Sequence, residues 1–255
     1  MTAPNVSNPT HTASALNQVR LPRTAALGPG LGGQPRLLID APAGAAEIYL
    51  HGATLTSWVP RGGSEVIFTS RQAVFDGSTA IRGGIPLCLP EFGVGINGDA
   101  VPKHGWARIA PWQLRMVAST DDGGVRALLS VSRDHLTALY EVEIGETMRL
   151  GLSLRNDGNA PRTVEAAAHT YLSVHDVTAS LISGLAGASY SDNLAHSPQE
   201  AHRVQDGDVR ISSPVDRIYD SAEPITVTDP GHERTIHVDK RNAPSTIVWN
   251  PWSTY

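Results

Sequence analysis

Apolar and polar residues alternate over much of the chain, most clearly in Met148–Arg155 (MRLGLSLR). A period of two is what a strand with one buried face requires. Stretches of similar β character are Ala46–Leu50 (AEIYL), Thr54–Val59 (TLTSWV), Glu65–Thr69 (EVIFT), Val125–Val131 (VRALLSV) and Tyr140–Ile144 (YEVEI). Ile225–Val227, Thr235–Val238 and Ser245–Trp249 continue the pattern. Turn-forming clusters, among them Asp122-Gly123-Gly124 and Asn156-Asp157-Gly158-Asn159, separate them. No segment carries a sustained apolar face at helical spacing with a cap and a stop. Many short strands without helices predict an all-β chain, an antiparallel sandwich or barrel.

Composition narrows the class. The 255 residues carry a formal net charge of −5, with 40% hydrophobic and 18% charged residues, as a globular domain with a sizeable core does. The 24 glycines and 18 prolines are spread along the chain rather than gathered in one linker. Residues 1–35, rich in Thr, Ala, Pro and Asn and then in Gly and Pro, read as a flexible leader, with one domain over 36–255. Met1–Asn17 lacks the charged and apolar regions of a secretory signal, which makes the cytoplasm the expected compartment. Cys88 stands alone, so neither an internal disulfide nor a multi-cysteine zinc site is expected. There is no basic surplus for nucleic acid and no apolar run near the ~20 residues that cross a bilayer.

Three segments could carry chemistry. In Ala80–Gly95 (AIRGGIPLCLPEFGVG), Gly83-Gly84 follow Arg82. They fit a sheet-edge turn better than a ligand-binding loop, although Arg82 is a bidentate donor suited to phosphate or hydroxyls. Pro102–Trp112 (PKHGWARIAPW) gathers Lys103, His104 and Arg108 with Trp106 and Trp112. Aromatic faces can stack on sugar rings while cations hold an anion, and two partly buried tryptophans in a surface turn fit equally well. In Glu165–Asp176 (EAAAHTYLSVHD), His169 lies in an apolar setting, as a core histidine would, yet its chemistry also suits proton transfer near neutrality. The spacing GxGxxG occurs at Gly28-Gly30-Gly33 and at Gly93-Gly95-Gly98, neither opening a helix, so no nucleotide site is expected. GxSxG and HExxH are absent.

In this order, and between His51-Gly52-Ala53-Thr54-Leu55-Thr56-Ser57-Trp58 and Trp249-Asn250-Pro251-Trp252, these segments together with Val215-Asp216-Arg217-Ile218-Tyr219 resemble the glucose-6-phosphate 1-epimerase branch of the aldose 1-epimerase superfamily. The resemblance implies a galactose mutarotase-like antiparallel β-supersandwich. It implies interconversion of the α and β anomers of a sugar phosphate by acid–base ring opening, without metal or cofactor. His169 would be the catalytic histidine; Arg82, Lys103, His104, Arg108 and Asp216 would bind substrate. The family's general base is a glutamate on a late strand after the NPW motif. With Ser253-Thr254-Tyr255 following that motif directly, the last strands and that glutamate are expected to be missing and activity to suffer; Glu91 and Asp216 do not fall at the base position. Two other readings stand beside this one: a mutarotase for unphosphorylated aldoses, and a non-catalytic sugar-phosphate binding protein.

Overall fold

Strands dominate the computed structural model, which describes residues 19–252. The chain divides into two compact units, one ending at Ser173 and one beginning at Val174, where the sequence suggested a single domain.

In the first unit β1 (Ala25–Pro29), β2 (Pro35–Ala41), β3 (Gly44–Tyr49) and β4 (Thr54–Pro60) form an antiparallel sheet in sequence order. β5 is the short Leu87–Cys88. A second antiparallel sheet follows, of β6 (Gln113–Ser119), β7 (Val125–Arg133), β8 (Leu136–Ile144) and β9 (Met148–Asn156). Last comes β10 (Ala167–Ala168), which pairs back on β5. The alternation has the expected consequence. On β8 Leu136, Ala138, Tyr140, Val142 and Ile144 are buried, and they share one core with Leu37, Ile39, Ala46 and Ile48 of the first sheet. Hairpins join the strands tightly; Asp134 and His135, both at positive φ, make the two-residue turn between β7 and β8.

The second unit holds β11 (Leu181–Ser183), β12 (Ser189–Asp192), β13 (His202–Val204), β14 (Val215–Tyr219), β15 (Ile225–Asp229), β16 (Arg234–Val238) and β17 (Thr246–Asn250). They form two antiparallel sheets, β13-β12-β14-β17 and β11-β15-β16. Leu185, Tyr190, Val209, Ile211, Val215, Tyr219 and Val248 make their core. A fully buried carboxylate, Asp229, accepts from the His175 amide at 3.2 Å and from Arg234 Nε at 3.3 Å, and pairs with His232 Nδ1 at 2.8 Å.

Two expectations need correction. The Gly/Pro-rich stretch read as leader is ordered from residue 19 and holds β1: Gly30 N–H donates to Gln34 O over 2.7 Å, while Gly32 and Gly33, at positive φ, turn the chain back into β2. Those glycines serve a hairpin; residues 1–18 lie outside the described part. Glu65–Thr69, read as a strand, makes only isolated bridges at Ile67 and Thr69. The Glu65 carboxylate takes the amides of Trp58 (2.9 Å) and Ile67 (2.8 Å) in place of a regular ladder.

Candidate active site

The site is built where three irregular segments of the first unit meet β5 and β10. Gly83 and Gly84 have φ of 104° and 71°. A Cβ on Gly83 would stand 2.6 Å from Phe68 O, and one on Gly84 2.5 Å from Leu55 O. The pair therefore lets the backbone dock on β4 and on residues 68–70, and it carries Arg82 at the docked edge. Ser70 N–H donates to Arg82 O at 3.0 Å and Gly84 N–H to Phe68 O at 2.8 Å.

Pro102–Trp112 is anchored on Leu89, directly after β5. Gly105 (φ 71°) sits so close to Leu89 that a Cβ would lie 2.2 Å from its carbonyl oxygen. Ala107 N–H donates to that oxygen at 3.0 Å. Trp106 and Trp112 are 5% and 2% exposed and belong to the core, so neither offers a face to a sugar. The polar residues of the segment remain at the surface of the unit: Lys103 is exposed, His104 and Arg108 half-buried. Arg108 Nη2 donates to Lys103 O at 2.8 Å, which closes the loop on itself.

His104 is held in one protonation state. The Gly93 amide donates to its Nδ1 at 3.1 Å, and the Cys88 sulfur lies 3.5 Å from the same nitrogen. Burial, helped by the charges of Arg108, His169 and Lys103, pushes its pKa down from 6.5 to about 4. Burial pushes the Cys88 thiol up to about 11, against the pull of Arg108. The imidazole is thus neutral near pH 7, its single proton on Nε2, ready to donate to a hydroxyl.

His169 follows β10. Its amide donates to Pro86 O at 3.0 Å, continuing the β5–β10 pairing by one step. Tyr171, two residues on, lies on the same side of the extended chain, and the two rings stack at 4.6 Å with planes 14° apart. Arg82 and Arg108 both act on the Tyr171 phenol, opposing the burial that raises its pKa. The structure thus brings Arg82, Lys103, His104, Arg108 and His169 into one electrostatic neighbourhood. Tyr171 and Cys88 belong to it too, although nothing in the sequence beyond adjacency singles them out. Asp216 lies in the second unit, half-buried on β14 opposite Trp249 of β17, its Oδ1 accepting from Asn193 Nδ2 at 3.0 Å.

An all-β unit that gathers two histidines, cations and a protonated phenol at one sheet edge places groups able to transfer protons beside positive charge. Comparison with known proteins gives the family. The aldose 1-epimerase family model matches residues 35–255, and the chain belongs to that family. A relative from Cenchrus ciliaris is 33% identical over 225 residues, covering 81% of this chain and 67% of that protein. One from Escherichia coli strain K12 is 30% identical, covering 84% and 74%. Both bear the name "Putative glucose-6-phosphate 1-epimerase". The crystal structure of YeaD from Salmonella typhimurium matches with a TM-score of 0.81 at 28% identity, over 91% of this chain and 79% of that one. A galactose mutarotase-like protein from Clostridium acetobutylicum shares the fold, with a TM-score of 0.71 at 11% identity, over 89% and 83%. The galactose mutarotase-like β fold implied by the motifs is therefore the fold of this chain.

Proposed function

We propose that the protein interconverts the α and β anomers of D-glucose 6-phosphate, acting in the cytoplasm on the free sugar phosphate. Ring opening needs a proton removed from the C1 hydroxyl and another delivered to the ring oxygen. The C1–C2 bond then rotates, and the ring recloses on the opposite face. His169 is the proton donor to the ring oxygen. Neutral His104 donates a hydrogen bond from Nε2–H to a sugar hydroxyl. Arg82 and Arg108 hold the 6-phosphate by charge-assisted hydrogen bonds, with Lys103 adding positive charge at the rim. The proton leaving O1 passes to solvent water, since among the described residues no carboxylate falls at the base position of the family pattern. Each proton-transfer group of this kind contributes ~10²–10⁴ in rate.

The observation that carries this reading is the stack of His169 on Tyr171, with the phenol in the field of both Arg82 and Arg108. It joins a proton carrier to an anion site in a chain of the aldose 1-epimerase family. Exchange NMR between the anomers of glucose 6-phosphate, run beside glucose, tests it. Acceleration for the phosphate and much less for glucose is the expected result. Equal acceleration would point to an aldose mutarotase, and binding without acceleration to a sugar-phosphate binding protein.

A further inference from the structure

Tyr171 stacks on His169 and lies in the field of Arg82 and Arg108. Its backbone is pinned on two sides, its N–H donating to Gly84 O at 3.0 Å and its carbonyl accepting from Phe68 N–H at 2.9 Å. That pairing sets it two residues along from Arg82 on the opposite segment. The ring is half-buried and lies nearly parallel to the His169 imidazole, so the imidazole turns out of that plane only by breaking the stack. Burial raises the phenol pKa above 10.0, so near neutral pH the hydroxyl keeps its proton while two guanidinium groups act on it. A protonated hydroxyl beside two cations cannot compete with them for an anion as an acceptor would; it adds a donor.

We propose that Tyr171 is the residue that joins acid to anion site: its ring fixes the plane of His169, and its hydroxyl donates, beside Arg82 and Arg108, to the phosphate of the substrate. The inference rests on the reading of His169 and the arginines given above. It makes Tyr171 a positioning residue toward His169 and a specificity residue toward the phosphate, and it accounts for an aromatic with a polar tip at this position.

The two roles separate by substitution. Tyr171→Phe keeps the ring and loses the donor. Its dissociation constant for glucose 6-phosphate, measured by calorimetry, should rise roughly 10-fold or more, while weak binding of glucose changes less than about twofold. Tyr171→Leu removes the ring as well. In the wild type and in Tyr171→Phe the His169 ring protons, assigned by their loss in His169→Asn, should show the displaced shifts of a stacked imidazole. In Tyr171→Leu they should return to ordinary positions, and His169-dependent anomer exchange should fall roughly 10-fold below that of Tyr171→Phe. Unchanged affinity in Tyr171→Phe overturns the hydroxyl's role. Undisplaced His169 shifts in the wild type overturn the ring's role, whether or not the Leu variant folds. If His169→Asn itself exchanges anomers at the wild-type rate, the underlying reading of the site fails instead.

Discussion

The amide of Gly93 donates to Nδ1 of His104 across 3.1 Å, and this one contact decides what the histidine can do. A nitrogen that accepts a backbone N–H cannot also carry a proton. His104 is thereby held as a neutral donor through Nε2, in the electrostatic neighbourhood of His169.

The first prediction follows from that lock. ¹⁵N-resolved NMR should show His104 as the Nε2–H tautomer at pH 7, with protonation only near its pKa of about 4. The sign for stability is set by the same shift. Between 6.5 and about 4 the unfolded chain takes up a proton that the folded one refuses, so His104 contributes stability above pH 6.5 and loses it as the pH falls through that window. Titration of His104 near 6.5 in the folded protein would refute this.

Glycines in the two site loops should differ sharply in tolerance. Gly105 and Gly98 have similar φ, 71° and 76°, but a Cβ at 105 meets Leu89 O at 2.2 Å whereas none of the neighbours lies within 4 Å at 98. Gly98→Ala should cost about 1–2 kcal/mol, the left-handed backbone alone. Gly105→Ala adds a clash with backbone that cannot retreat, for about 2–5 kcal/mol in all. Urea unfolding of the two variants gives the comparison, and equal losses would contradict it.

Trp112 should matter to stability and not to sugar binding. It is 2% exposed, its Nε1–H donates to Ala107 O at 2.9 Å, and its ring meets Tyr140 edge-on at 6.2 Å. Trp112→Phe should cost about 2–4 kcal/mol in unfolding experiments, through lost volume and the lost indole hydrogen bond to Ala107 O. Affinity for glucose 6-phosphate should stay within about twofold. A large loss of affinity at unchanged stability would restore the tryptophan to the binding face.

The same two tryptophans show how far the sequence could be read. Their spacing with Lys103, His104 and Arg108 marked the segment, but the sequence held sugar stacking and burial equally open. Only the docking of Gly105 on Leu89 turns both rings inward. The clean alternation of Met148–Arg155 falls within a residue of β9, because one inward face forces a period of two, whereas Tyr140–Ile144 marks only the second half of β8. Glu65–Thr69 makes no regular strand, because a carboxylate takes the amides that a ladder would use. Residues 25–35 were hidden by composition: their glycines and prolines look like a linker and make a hairpin. The approach of Cys88 to His104 and the field of Arg82 and Arg108 on Tyr171 join segments distant in sequence, and no local pattern records these.

The two arginines should not behave alike. Arg82→Ala should weaken glucose 6-phosphate binding by roughly 10- to 150-fold, the loss of a charge-assisted hydrogen bond, and leave glucose nearly unaffected. Arg108 also donates to Lys103 O, so Arg108→Ala should loosen the loop that bears His104 and weaken both sugars. Calorimetric titration with each sugar distinguishes the two patterns. Equal losses for both sugars in Arg82→Ala would deny it a phosphate-specific role.

Proton donation by His169 is tested most directly by exchange NMR on glucose 6-phosphate with the wild-type chain and with His169→Asn, at matched saturation. The side chain of Asn keeps the polarity of the position and cannot deliver a proton. The wild type should speed anomer exchange, and His169→Asn should return it to the rate of the sugar phosphate alone while binding changes less than about threefold, since the substitution leaves the proposed phosphate contacts of Arg82 and Arg108 in place. Exchange at the wild-type rate in His169→Asn would contradict the assignment of the acid.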